Sequence, residues 1–245
     1  MATMAGKSAY AFISPLSRAK RGGTVQHVQD LIRDAIVRLE LPPGAFIDKT
    51  ALCERLGVSR FPVSEALGRL AAEGFVEVLP QRGTLVARIR LADVREAMFI
   101  RRALEADAIR ALAARADKAL ASDLRRNLKG QAAVVQRDDN ARFHEHDLAF
   151  HDLILNALGF ERVKSAVEAS RANLDRMRLF MCTPARKSAT FAEHQAIVTA
   201  LLEGNAPAAG RAMESHLDAV MSELMTASAA YPDAFDRPAG EIAAE

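Results

Sequence analysis

The sequence changes character at Ile89. Up to that residue, short helical periods alternate with turn residues and two strand-like runs. Beyond it the strand signals vanish, and Ala- and Leu-rich stretches carry helical spacing almost to the end. Such a chain is expected to fold as a small mixed unit followed by an all-α unit. In the front part Val25, Val28, Leu31, Ile32, Ala35, Ile36 and Leu39 recur at helical spacing from Thr24 and stop at Leu41-Pro42-Pro43-Gly44. Lys49 to Leu56 fits a short second helix, closed by Gly57 in a left-handed turn. Ser59 is placed to cap a third helix running to about Glu73. Pro62 is tolerated in its first turn, where amides lack intrahelical partners anyway. Gly74 ends it. Phe75 to Leu79 and Thr84 to Arg88 then read as two β-strands around the turn Pro80-Gln81-Arg82-Gly83. After Ile89 about six helices are expected, near 91–116, 119–136, 139–157, 160–181, 187–203 and 206–228, with breaks near Gly159, Pro184 and Gly204-Asn205.

Composition agrees with a globular chain: half of the 245 residues are hydrophobic, enough to bury a core. No apolar run approaches the roughly 20 residues that would cross a bilayer. The stretch around Tyr10 to Ile13 lacks the h-region of a signal peptide. Cys53 and Cys182 form no CxxC pair or disulfide framework, which fits a reducing cytoplasm. Net charge is small but uneven. Residues 1–88 hold 12 Lys and Arg against 8 Asp and Glu, whereas the remainder holds 21 against 23. A basic front and a mildly acidic back suit a nucleic-acid-binding head on a neutral body. The resulting division is a flexible basic arm (1–23), a head (24–89), a helical bundle (91–228) and a frayed tail (229–245).

Helix, glycine turn, helix and a two-stranded wing make a winged helix-turn-helix. The second helix of such a pair lies in the major groove with its N-terminal end towards bases and phosphates. Ser59 and Arg60 fall at that end, and Arg55 and Arg82 are placed for phosphate contacts. Ala51, Leu52, Leu56, Val63, Ala66, Leu67 and Leu70 would form the core beneath. On spacing alone the unit also suits a protein-interaction module. The runs Leu41-Pro42-Pro43-Gly44, Leu52 to Leu67 (LCERLGVSRFPVSEAL), Gly74-Phe75-Val76 and Arg82-Gly83 resemble the GntR family of bacterial regulators. The resemblance implies DNA contacts at Arg55, Ser59, Arg60, Phe61, Pro62, Arg82 and Gly83. Ser64 stands where the family usually has arginine, which alters operator preference. Gly68 weakens the recognition helix by about 1 kcal/mol relative to alanine.

The bundle carries a polar set. Asp147 and His151 are four apart, hence on one helix face. His194 lies ten residues before Gly204 and His216 twelve after it, so an antiparallel hairpin brings both imidazoles to similar heights. Three imidazoles and a carboxylate suit Zn²⁺, Ni²⁺ or a similar divalent ion. Spacing alone favours separate histidines, hydrogen-bonded or exposed. Asp147-Leu148-Ala149-Phe150-His151, Glu193-His194-Gln195-Ala196-Ile197 and Met213-Glu214-Ser215-His216-Leu217 are similar to the metal-ligand segments of the FCD domain, the effector domain of the FadR subfamily within GntR. That resemblance implies Asp147, His151, His194 and His216 as ligands, with a small carboxylate metabolite as effector. Arg101, in Arg101-Arg102-Ala103-Leu104-Glu105, matches the family arginine that meets it; Arg101 and Glu105 also suit a surface ion pair. Arg178 is a second candidate for the effector, and His144 and His146 are expected to point away from the metal.

A metalloenzyme is the competing reading. His144-Glu145 lacks the second histidine of HExxH, and no Ser/His/Asp set or Gly-rich phosphate loop stands out. The expectation is a DNA-binding regulator, a repressor released by its effector. It would be a cytoplasmic homodimer on a pseudo-palindromic operator and not an enzyme or a membrane protein.

Overall fold

The computed structural model describes residues 10–14, 23–115, 118–137, 139–181 and 183–236. The chain divides into two compact units. The first unit contains α1 (Thr24–Val37), β1 (Phe46–Ile47), α2 (Lys49–Leu56), α3 (Arg60–Ala72), β2 (Val76–Leu79) and β3 (Gly83–Val86). Asp48 caps α2, its carboxylate accepting from the Thr50 and Ala51 amides, and Gly57 ends the helix at φ 69°. Ser59 occupies the N-cap of α3 as expected, but its side chain makes no capping bond. Val28, Ile32 and Ile36 of α1, Leu52 and Leu56 of α2 and Val63, Ala66, Leu67 and Leu70 of α3 are all buried, with α3 packed against both α1 and α2. At about 25 cal/mol per Å², this shared apolar face supplies most of the drive to fold. Glu73 ties the far ends together, accepting from Gln29 Nε2 and Arg33 Nη2, both at 2.6 Å.

The sheet has three strands in the order β1-β3-β2, all antiparallel. β2 and β3 form the expected wing, with Val76 opposite Val86 and Leu79 opposite Gly83. β1 was not expected, because a two-residue strand has no readable alternation; it pairs Phe46 with Leu85 and Ile47 with Thr84.

Both ends of this unit differ from expectation. Residues 10–14 were read as part of a flexible arm, yet Tyr10 and Ile13 are buried. The tail read as frayed from residue 229 is ordered to Asp236. The last helix of the chain's described residues runs to Ala230, and a 3-10 turn follows at Pro232–Ala234. The Ile89 amide then donates to the Ala234 carbonyl and the Asp236 amide to the Ile89 carbonyl, each at 2.9 Å. The remainder of both expected segments lies outside the described residues.

The second unit consists of α4 (Leu91–Ala113), α5 (Lys118–Val134), α6 (Asn140–Leu158), α7 (Glu161–Met181), α8 (Pro184–Leu202) and α9 (Ala206–Ala230). Mainly α with a six-helix bundle is the fold read from sequence. Pro184 opens α8 rather than merely separating helices: proline is at ease in a first turn, and Thr183 caps it by accepting from the Arg186 amide. α4 packs against α6, α7, α8 and α9, so its inner face looks onto the centre of the bundle. Among the described residues no helix is long and apolar enough to cross a membrane.

Candidate nucleic-acid interface and metal centre

Helix α3 divides its residues cleanly. Those that pack are buried, and Arg60, Phe61, Ser64, Glu65 and Gly68 are exposed. Positions i, i+1, i+4, i+5 and i+8 form one stripe along a helix. Phe61 is 73% exposed, an uncovered ring beside an arginine at the helix N-terminus. At the wing tip Arg82 is exposed, and its amide closes the turn on the Leu79 carbonyl at 3.1 Å. Gly83 follows at φ 110°, which a residue with a Cβ rarely adopts.

Two residues expected at this surface are used otherwise. Pro62 is buried. Arg55 holds the N-terminal segment rather than standing open to a phosphate. Its Nε donates to the carbonyls of Tyr10 (3.0 Å) and Ile13 (2.6 Å), and Nη2 donates to that of Ala11 (3.0 Å). The Asp48 amide donates to the Tyr10 hydroxyl at 2.7 Å. Residues 10–13 thus lie along α2, gripped at both its ends.

In the bundle the fold brings Asp147 and His151 of α6, His194 of α8 and His216 of α9 together, all buried, each with a ligand atom within 4.8 Å of the others. A metal about 2.0–2.2 Å from each donor sets opposed donors at most roughly 4.4 Å apart, so only a small contraction separates this cluster from a coordination shell. The hairpin estimate of equal heights holds: the His194 and His216 rings are 4.7 Å apart. Phe150 stacks on His194 at 3.9 Å and fixes its plane.

What surrounds the histidines decides the chemistry. His151 Nδ1 meets Glu105 Oε2 at 2.5 Å, His194 Nδ1 meets Gln131 Oε1 at 3.0 Å, and His216 Nδ1 meets Glu193 Oε2 at 2.7 Å. An Nδ1–H donated outward by His194 and His216 leaves their Nε2 lone pairs facing inward, the tautomer a metal requires, and the Glu105 carboxylate beside His151 Nδ1 favours the same tautomer there. The acceptors are themselves held. Arg186 grips Glu193 through both Nη atoms at 2.6 and 3.0 Å. Gln131 donates to Asn127 at 2.7 Å. Burial pushes the His151 imidazole below the ordinary histidine range; Glu105 opposes this, and Arg101 and Arg171 add to it. The neutral imidazole is therefore favoured at neutral pH, the form that can hold a metal. Burial opposes the charge of Glu105, yet Arg101 and His151 hold its carboxyl well below the usual carboxylate range.

Arg101 and Glu105 do pair, at 2.7 Å, but in the interior and not on the surface, with 0% and 1% of their side chains exposed. Only Nε of Arg101 is used; its two Nη atoms are buried and make no hydrogen bond. The backbone of Arg178 falls in α7, while its side chain lies outside the described residues. His146 belongs elsewhere: it packs on Gly130, where a Cβ would come within 2.4 Å of the ring. Sequence reading missed Glu105, Gln131 and Glu193 as partners of the histidines. Glu193 adjoins His194 and Glu105 sits four residues from Arg101, so both stood inside segments already singled out. Gln131 gave no signal, since only the packing of α5 against α8 brings it to the site.

An exposed recognition helix with a wing, joined in one chain to a bundle with an inward-facing ligand set, defines a DNA-binding transcriptional regulator. The chain belongs to the GntR family: the family described as "Bacterial regulatory proteins, gntR family" matches residues 24–86, and the FCD domain matches residues 96–219. The chain is 37% identical over 213 residues to an uncharacterized HTH-type transcriptional regulator in an unstable DNA locus of Streptomyces ambofaciens, covering 86% of this chain and 89% of that one. It is 30% identical over 200 residues to the HTH-type transcriptional repressor RspR of Escherichia coli, covering 81% and 88%. Among solved structures, E. coli McbR/YncC shares the fold with a TM-score of 0.71 at 18% identity, over 83% of this chain and 97% of that one. The two sequence relatives are named as transcriptional regulators, and the FCD match agrees with the FadR-type resemblance.

Proposed function

We propose that the protein is a cytoplasmic homodimeric repressor that holds a divalent ion, Zn²⁺ or Ni²⁺, on Asp147, His151, His194 and His216, and leaves its operator when a small carboxylate metabolite binds beside Arg101. The observation that carries this reading is the buried guanidinium of Arg101, with two unbonded Nη atoms, linked through Glu105 to His151. Leaving charged donors desolvated and unbonded is costly, and a planar guanidinium matches a carboxylate edge on. When bound, the ion supplies a Lewis-acidic point that attracts an anionic oxygen. The chain's own contribution is to fix the three imidazole tautomers and hold Arg101 in one orientation. On the DNA side, Arg60, Phe61 and the Ser59 end of α3 read the major groove of a pseudo-palindromic site, with Arg82 and Gly83 of the wing beside it. An effector that favours one bundle arrangement lowers operator affinity by the coupling free energy. The repressor name of the E. coli relative supports repression as the result of operator binding.

A thermal-shift screen of metal-loaded and metal-stripped protein against hydroxy acids, sugar acids and dicarboxylates tests the sensor half. An acid that stabilises only the loaded protein is expected, because selective binding to the native state raises its stability. Metal stabilisation with no response to any acid would remove the effector site and Arg101's role in it.

A further inference from the structure

The three histidines do not meet equivalent partners. His151 and His216 face the carboxylates of Glu105 and Glu193, which accept a hydrogen bond whichever way they turn. His194 faces Gln131, an amide with an accepting oxygen at one end and a donating nitrogen at the other. Turned round, that amide would donate to Nδ1 and leave the ring proton on Nε2, where it blocks a metal. Asp147 pulls the proton the same wrong way, its Oδ1 lying 3.7 Å from His194 Nε2. The orientation of Gln131 is set from elsewhere. Asn127, one turn earlier on α5, donates through Nδ2 to the His146 carbonyl at 2.9 Å. A carbonyl can only accept, so Asn127 must present Oδ1 to Gln131, whose Nε2 donates to it at 2.7 Å. That leaves Gln131 Oε1 towards His194 Nδ1, at 3.0 Å. Both amide side chains are buried, away from bulk water that could replace either partner. The anchoring carbonyl belongs to the residue before Asp147, and the His146 ring lies over Gly130, where a Cβ would collide with it, so α5 and α6 come close at this point.

We infer that Asn127 and Gln131 are positioning residues. They form a one-way chain of hydrogen bonds, from the His146 carbonyl on α6 through α5 to His194 on α8, that fixes the His194 proton on Nδ1 and readies Nε2 for the proposed ion. Helix α5 carries none of the four proposed donors, yet it sets the polarity of one of them. Asn127 acts through Gln131 rather than on the ring itself. The use of that polarity rests on the metal-site reading above; the hydrogen-bond chain does not. Without its anchor the Gln131 amide is free to turn, and Asp147 then draws the proton to Nε2.

Long-range ¹⁵N–¹H correlation spectra of the full-length, metal-stripped protein, taken at mildly alkaline pH where imidazole is neutral, show which His194 nitrogen carries the proton. Wild type should carry it on Nδ1. Asn127→Leu should move it to Nε2 and lower Zn²⁺ affinity about 10–100-fold, the ordinary reach of a residue that supports a metal ligand. Adding Gln131→Glu to Asn127→Leu should return the proton to Nδ1 and the affinity to within about threefold of wild type, because a carboxylate accepts in either orientation. A packing defect at Asn127 would not be repaired by that exchange. Gln131→Met, similar in length but a poor acceptor, should also move the proton to Nε2, and it answers the question if Asn127→Leu does not fold. A wild-type proton on Nε2, a proton that stays on Nδ1 in either single variant, or a double variant that is not restored would overturn the inference. The expected proton positions without tight Zn²⁺ binding by the wild type would leave the relay standing and overturn the metal reading.

Discussion

The two units of this molecule solve opposite problems with the same residue types. In the head, the arginines proposed to meet DNA stand in water on an apolar support: Arg60 and Arg82 are exposed, and Val63, Leu67 and Val86 are buried. In the bundle, Arg101 and three histidines are fully buried and depend on polar partners for their orientation. A surface that meets a phosphate lattice benefits from solvated, adjustable charge. A site that must tell small molecules apart benefits from desolvated groups that are expensive to leave unmatched. The head is therefore expected to tolerate single changes in graded fashion, and the bundle to fail abruptly.

The largest break is expected in the bundle. His194→Ala removes one of the four proposed donors and the stacking partner of Phe150, and should lower metal affinity by well over 100-fold, read by competition with a chelating dye, while the isolated head binds DNA unchanged. Retained tight metal would remove His194 from the ligand set. Glu193→Gln keeps the shape but weakens the partner of His216, and should cost about 10–100-fold in metal affinity. A change below twofold would reduce Glu193 to a surface partner of Arg186. In the head, Arg60→Ala should cost about 1–3 kcal/mol of operator binding if it reads a base, with a loss confined to the specific site. An equal loss on random DNA would make it a phosphate contact. Arg55→Ala deletes the three bonds to residues 10–13, and should be seen as faster amide exchange at Asp48 and Ile13, with a stability loss of about 1–3 kcal/mol. Unaltered exchange would mean that the segment is held by Tyr10 and Ile13 burial alone. The smallest effect is a gain: Gly68 is exposed with open space at its Cβ position, so Gly68→Ala should raise stability by about 1 kcal/mol, measured as a higher Tm.

The same contrast governs how much the sequence made legible. Helices such as α1 and the six of the bundle announce themselves through apolar periodicity, because burial of one face is what forms them. The wing was readable from its strand runs and turn, whereas β1 was invisible, since its two residues exist as a strand only through pairing with Leu85 and Thr84. That Asp147 and His151 share one helix face follows from their spacing. Partners that meet only through tertiary packing, such as Gln131 with His194, carry no local mark. The segment 10–13 misled for a related reason: basic, glycine-containing surroundings suggested a free arm, and nothing local reveals that Arg55, over 40 residues on, would take its carbonyls.

The central claim is that occupancy of the buried bundle site controls the exposed head. Fluorescence anisotropy of a labelled operator, titrated with metal-loaded protein in the absence and presence of the acid that most stabilises it, measures this directly. The account predicts a metal-dependent loss of operator affinity of about 5–150-fold, the range of ordinary coupling free energies, abolished by Arg101→Gln. An operator affinity unchanged by a saturating, demonstrably bound acid would contradict it.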